Sequence, residues 1–173
     1  MEQLAALPTH VFSGELFRAT RKSADLDPLR PSTRAGRWMP SGGSPVLYTS
    51  LEAAGAQAEI TFHWSNLTPW PSHPAMLHRL ATATDRTIKL ILADLEGLGV
   101  DPVAYSSIRY GRTQQIGAAL AHLGYDGLQA PSARWPCDNL IIFTSNLSPT
   151  HPLEVKESWE IDWQAWGRSV GMI

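Results

Sequence analysis

"GRWMPSGGSPVLYTS", residues 36–50, runs into "LEAAGAQAEITFHW", residues 51–64, and this junction decides how the chain is read. The Gly, Ser and Pro of its first half predict an irregular loop, with an arginine and a tryptophan at the mouth. "PVLYTS" then reads as a short apolar strand. Ser50 is placed to cap the next helix, and Glu52 to meet the positive end of its dipole. On that helix Gly55, Glu59 and Phe62 or His63 fall on one face. Glu59 is the anomaly. A carboxylate among Ala, Gly and Ile is expected to be partly buried, and a buried carboxylate needs a partner or a chemical role. An ion pair with Arg18 or Arg37 is the plain alternative, and it too draws the arginine-bearing segments towards the helix.

Upstream, "HVFSGELFRAT" (10–20) alternates as a first strand, with Arg18 near its end. Residues 20–44 have no steady period, and a loop of this length in a compact domain is often functional. Downstream, "SNLTPWPSHP" (65–74) breaks the helix and "AMLHRLATAT" (75–84) reads as a strand. "DRTIKLILADLEGL" (85–98) fits a helix through Ile88, Ile91, Leu92 and Leu95, and a strand through "TIKLIL". "RTQQIGAALAHLG" (112–124) is a helix with an apolar stripe of Ile116, Ala119, Leu120 and Leu123, stopped by Gly124. A "YDG" turn, the segment "LQAPSARWPCDN" and the buried-type strand "LIIFTS" (140–145) follow, and then a tail with three tryptophans, "ESWEIDWQAWGRSV". The pattern predicts an α+β fold in one domain, 1–173, with a core over about 12–146 and the tail, 147–173, packed back on it.

The 173 residues are enough for one domain with a substantial core. Fourteen basic against 16 acidic residues, a net charge of −2, argue against a broad nucleic-acid-binding face. Most of the basic residues are arginine, which suits oxyanion recognition or reflects a GC-rich coding sequence. One cysteine, Cys137, permits no intrachain disulfide and fits a reducing compartment. No signal peptide is expected, and no apolar run reaches the roughly 20 residues of a membrane span, so a soluble cytoplasmic protein is expected. There is no P-loop, no dinucleotide-binding glycine pattern and no Gly-x-Ser-x-Gly elbow. His73 and His78 lack chelating spacing and any Cys/His cluster, so no metal site is expected. Candidates for chemistry lie at segment ends: Arg18, Arg37 with Trp38, Tyr48, Glu59, and Ser132 with Arg134. Each also has a plain structural reading, as a solvated charge, a half-buried core residue or a turn cap.

Taken in order, these residues resemble the RES-domain family, named for an arginine, a glutamate and a serine. Arg18 in "LFRAT" matches its arginine, and "GRWMPSGGSPVLYTS" its "GRWN-P-G-PVLYTS" block with Arg37 and Tyr48. "AGAQAEITFH" places Glu59 at its glutamate, "GYDGLQAPSAR" Ser132 at its serine, and "DNLIIF" Asn139 on its closing strand. Met39 stands where the family usually has asparagine, and Ala19 where an aromatic is common.

The resemblance implies a fold like that of ADP-ribosyltransferase toxins, a mixed sheet core with flanking helices. It also implies an enzyme for which NAD+ is substrate rather than cofactor. Such proteins are commonly bacterial toxins held by an Xre-type antitoxin. They deplete NAD+ by hydrolysis or phosphorolysis of the nicotinamide–ribose bond; the alternatives are transfer of ADP-ribose to a protein and a non-catalytic nucleotide-binding module. On this reading Glu59 stabilises the oxocarbenium-like ribose and Ser132 fixes the substrate ribose or amide. Arg18 and Arg37 clamp phosphates, and Tyr48 and Trp38 stack on the nicotinamidium. Asn139 belongs to the same substrate site.

Overall fold

The computed structural model describes residues 2–24, 26–151 and 153–173. Its elements are α1 (Glu2–Ala5), β1 (Thr9–Arg21), β2 (Val46–Ser50), α2 (Ala53–Ser65), β3 (Ala75–Lys89), α3 (Leu92–Gly97), α4 (Gly111–His122), β4 (Gly127–Pro131), β5 (Asp138–Phe143), β6 (Glu154–Ile161) and α5 (Trp163–Ser169). The class is α+β with one mixed sheet, ordered β1-β2-β5-β4-β3-β6, and β1 also pairs with β3. That extra pairing joins the two ends of the β1-β2-β5-β4-β3 series, so the strands form a closed circuit and β6 lies outside it on β3. Among the described residues only the β3–β4 pairing is parallel.

Closure explains why "PVLYTS" and "LIIFTS" carry apolar residues in succession rather than in alternation. On β2, Val46 and Tyr48 face one core cluster while Leu47 faces a second. On β5, Ile141 and Phe143 join the first cluster, and Leu140 and Ile142 the second. Both faces are buried, so period-2 alternation of polarity is lost. The ambiguous segment 85–98 resolves into both of its readings. β3 runs on to Lys89, and α3 begins at Leu92.

Two local expectations are corrected. Ser50 does not cap α2: it ends β2, its Oγ lies 3.3 Å from Cys137 Sγ, and Glu52 is the N-cap without a side-chain bond. The reason is the close approach of the helix start, where a Cβ on Gly55 would come within 2.1 Å of Ser50 Oγ and 2.5 Å of Cys137 Sγ. The second concerns Trp38, whose indole is 2% exposed inside the first core cluster. Arg37 and Trp38 adjoin because consecutive residues here face opposite ways, not because both face a ligand.

The 36–38 segment is held by α4. Gln114 Nε2 donates to the Gly36 carbonyl at 2.9 Å and Thr113 Oγ1 to the Arg37 carbonyl at 2.7 Å. The Trp38 carbonyl oxygen sits where a Cβ on Gly117 would lie 1.8 Å away. Behind it, the Trp38 N–H donates to the Tyr48 hydroxyl at 3.3 Å. Burial pushes the Tyr48 phenol up to about 12, so it stays neutral in that role.

At the other end of the sheet, buried His78 on β3 bridges β1 and β6. It lies 2.9 Å from Thr20 Oγ1 and 2.7 Å from Ser158 Oγ. Tail residues Glu154–Ile161 make β6 on β3, and Trp163 of α5 is 1% exposed beside Ile60 of α2. Among the described residues no helix is long and apolar enough to cross a membrane.

Two outcomes are expected from this frame. Gly117→Ala gains helix propensity but drives a methyl into the Trp38 carbonyl, so stability falls by about 2–3 kcal/mol. Thermal unfolding would show a melting point lower by roughly 5–10 °C. Gly97→Ala, with nothing within 4 Å, should leave it unchanged or slightly raised. His78 is held below its ordinary value of 6.5 by burial, with Arg18 adding to the effect. The unfolded chain therefore binds a proton that the native state refuses, so this contribution is complete above about pH 6.5 and is lost as pH falls below it. Denaturant midpoints at about pH 7.5 and 5.5 should differ less for His78→Gln than for wild type; equal differences would remove His78 as the source.

Candidate active site

Three separate segments meet at Glu59. Ser132 follows β4, in a turn closed by its N–H donating to the Cys137 carbonyl at 2.8 Å. Its Oγ accepts the N–H groups of Arg134 at 3.1 Å and Trp135 at 3.3 Å, which leaves its proton for Glu59 Oε1 at 3.2 Å. Asn139, on β5, donates Nδ2 to the same Oε1 at 3.2 Å. The amide orientation follows from chemistry, since the flipped form would set a carbonyl oxygen against a carboxylate. Oε1 thus has two neutral donors. Oε2 has only His63 Nε2, one helical turn on at 4.0 Å, beyond hydrogen-bond range. The Glu59 side chain is 33% exposed, so Oε2 is an anchored carboxylate oxygen within reach of a ligand.

Two guanidiniums belong to the same neighbourhood, Arg37 through the field of Glu59 and Arg134 through Phe62 of α2. Arg37 donates to the carbonyls of Tyr105 and of Ser107, and lies 4.8 and 4.7 Å from the ring centroids of Tyr105 and Tyr110. Burial lowers its pKa and the Arg134 charge acts in the same direction, against Tyr105, Tyr110 and Glu59. Arg134 rests on the Phe62 ring, its Cζ 3.4 Å from the centroid, and donates to the Ser106 carbonyl. His63 is shifted below the ordinary histidine range by desolvation; Glu59 opposes this, and Arg134 and Arg37 reinforce it. A neutral imidazole beside a carboxylate can accept or relay a proton. Burial pushes the Cys137 thiol up, the opposite of an activated thiolate. Among the described residues no three metal-ligating side chains converge. A hollow of about 330 Å³ beside Thr20, Met76 and His78 contains none of the Glu59 cluster.

The RES domain model matches residues 15–164. The chain belongs to the RES domain family. Its fold is shared with a chain in the crystal structure of the M. tuberculosis MbcT–MbcA toxin–antitoxin complex: TM-score 0.78 and 18% identity, over 96% of this chain and 94% of that one. No curated protein matches the sequence.

Of the RES residues and their neighbours, the structure joins Glu59, Ser132 and Asn139 directly, with Arg37 in the same electrostatic field. Tyr48 stands behind Arg37, its hydroxyl turned to the loop backbone. Trp38, in the core, is not available to stack on a ligand. Arg18 is elsewhere: its Nη1 donates to the Pro28 carbonyl at 2.9 Å and the Arg30 carbonyl at 3.1 Å, and its charged neighbours are Asp27 and His78. Among the described residues no hydrogen bond or ion pair ties it to Glu59. The expected pair of Arg18 and Arg37 is not brought together; the arginine whose charge acts on Arg37 is Arg134, on the Phe62 ring. Tyr105 and Tyr110 escaped the sequence reading; their signal was two tyrosines in an otherwise Ser- and Pro-bearing connection, "DPVAYSSIRYGR".

If Ser132 and Asn139 hold Glu59 jointly, Asn139→Ala should cost about 1 kcal/mol, the bond being to a partly solvated carboxylate. In a double-mutant cycle with Glu59→Gln by chemical denaturation, about half of that or more should appear as coupling. Strict additivity would mean the contact has no energetic content.

Proposed function

We propose that this RES protein cleaves NAD+ at the nicotinamide–ribose bond, passing ADP-ribose to water or phosphate, and that it acts as the toxin of a toxin–antitoxin pair. The observation that carries the reading is the Glu59 carboxylate: one oxygen is tied by Ser132 and Asn139, the other has no hydrogen bond among the described residues, and Arg37 and Arg134, which form no salt bridge among those residues, belong to the same neighbourhood. A ligand with a cationic sugar centre next to a diphosphate complements that charge pattern.

In the reaction the C–N glycosidic bond breaks and nicotinamide leaves as a neutral base with the bonding electrons. The ribose carbon takes on oxocarbenium character and is attacked by a water or phosphate oxygen. Glu59 Oε2 stabilises that developing charge, which exists only in the transition state and so accelerates the step. In this role Ser132 is a positioning residue, because its hydroxyl proton is committed to Glu59. His63 is placed to take the proton of an attacking water.

An enzyme that consumes a shared coenzyme needs restraint. A solved chain of this fold comes from the structure of a toxin–antitoxin complex, which supports a protein antitoxin here, with the Xre class as the candidate. Val103 and Ile108, 90% and 72% exposed on the connection that carries Tyr105, offer apolar contact beside the site. The reading is that of a cytoplasmic protein.

Incubation with NAD+ labelled in the ADP-ribose part, with and without phosphate, is the test. Nicotinamide release with free ADP-ribose or its 1″-phosphate is expected. Glu59→Gln should retain the fold and lose about 100-fold or more in turnover. Label on a protein band would indicate transferase chemistry instead, and turnover unchanged in Glu59→Gln would remove Glu59 from the reaction.

A further inference from the structure

The carbonyls of three consecutive residues, Tyr105, Ser106 and Ser107, are met by two guanidiniums from distant parts of the chain. Arg37 takes the first and third, and Arg134 the second. Neither arginine forms a salt bridge among the described residues, although the protein forms them elsewhere: Arg79 pairs with both Glu15 and Glu157. Arg37 lies against two tyrosine faces and Arg134 against a phenylalanine face. Stacking in this manner leaves the in-plane N–H groups pointing outward along the guanidinium edge. Phe62, which carries Arg134, is three residues from Glu59 on α2, so both groups project from adjoining parts of one helix face.

We infer that Arg134 is the second arm, with Arg37, of a clamp for a diphosphate group, and that a diphosphate and the 105–107 carbonyls compete for the same donors. The inference rests on the NAD+ reading for the identity of the ligand but not for the existence of the clamp. Two like charges sharing a site repel each other, and backbone carbonyls neutralise neither. A diphosphate carries the opposite charge on two linked groups, and guanidinium–phosphate bonds are stronger than guanidinium–carbonyl bonds. A carboxylate partner would have quenched this affinity in advance. Held by neutral acceptors, the donors stay oriented and remain exchangeable. The turn at Ser132 adds precision, since the Arg134 N–H bonds Ser132 Oγ and so fixes the arm relative to the group that orients Glu59. Arg18, whose Nη1 serves the backbone of the 22–45 loop, is not required for this clamp.

The test is calorimetric titration with ADP, which has the diphosphate and no scissile nicotinamide bond, against adenosine, which lacks the diphosphate. Wild type should bind ADP and bind adenosine far more weakly. Arg134→Ala should weaken ADP by about tenfold or more with adenosine unaffected, and Arg134→Lys should recover only part, because an ammonium cannot fork. Circular dichroism and thermal unfolding establish that each variant is folded, and if Arg134→Ala is not, Arg134→Lys decides alone. Equal ADP affinity in wild type and folded variants overturns the clamp, as does failure of wild type to bind ADP. ADP binding that depends on Arg134, together with no nicotinamide release from NAD+, would leave the clamp standing and sink the proposed reaction.

Discussion

The site depends on one backbone contact, the Trp38 carbonyl lying on the bare Cα of Gly117. Trp38 and Met39 are only 2% and 1% exposed, and that burial holds the segment before β2 to the core. Because α4 has no side chain at 117, the loop backbone comes close enough for Thr113 and Gln114 to bond the two preceding carbonyls. Arg37 then has little freedom left. Its backbone is bonded to α4, its neighbour is in the core, and its side chain is directed between Tyr105 and Tyr110. Precision at a long loop thus comes from a helix face, the kind of rigid element on which a binding group is best mounted.

Charge is handled differently at this site and at the surface. On the surface, acids and bases pair directly, as Arg79 does with Glu15 and Glu157, and such exposed pairs add little to stability. Around Glu59 the partners are neutral. Hydroxyl and amide donors hold the carboxylate, while carbonyls and aromatic faces hold the arginines. Neutral partners fix orientation without cancelling charge, so the field of the carboxylate and of both guanidiniums is kept for whatever enters. A direct Glu59–arginine ion pair, the plain reading of the sequence, would have consumed both.

How much of this was legible beforehand depended on whether a residue's surroundings were local. Glu59 stood out because its helix neighbours are small and apolar, and the helix proved to be buried on several sides, through Gly55, Ala56, Ala58, Ile60 and Thr61. "LIIFTS" was legible as a buried strand and "PVLYTS" as a short apolar one, and both are apolar because both their faces are covered. Trp38 was misjudged because adjacency in sequence says nothing of which way consecutive loop residues face. Ser50 was misjudged as a cap because its surroundings include Cys137, 87 positions away. Arg18 matched its motif, yet its guanidinium is engaged by carbonyls of a loop whose path no local pattern predicts. The two tyrosines around Arg37 lay in the 99–110 connection, which has no periodicity to draw attention.

The tail completes the frame rather than decorating it. Glu59 is placed by α2, and α2 is gripped between the sheet and α5, where Trp163 fills the space beside Ile60 and Ala75. Trp163 also meets Trp64 and Trp70 edge-on, at centroid distances of 5.5 and 5.9 Å, while Trp166 of α5 packs at 5.5 Å against Trp135 in the Ser132 turn. One short helix therefore touches both the element that carries the carboxylate and the turn that carries Ser132 and Arg134. Aromatic contacts of this kind each contribute roughly 1 kcal/mol beyond area burial and tolerate little displacement. The distance between Glu59 and its positioning serine is in this way set partly by residues that touch neither, and Trp163 and Trp166 of the tail are understood as spacers for a site formed further up the chain.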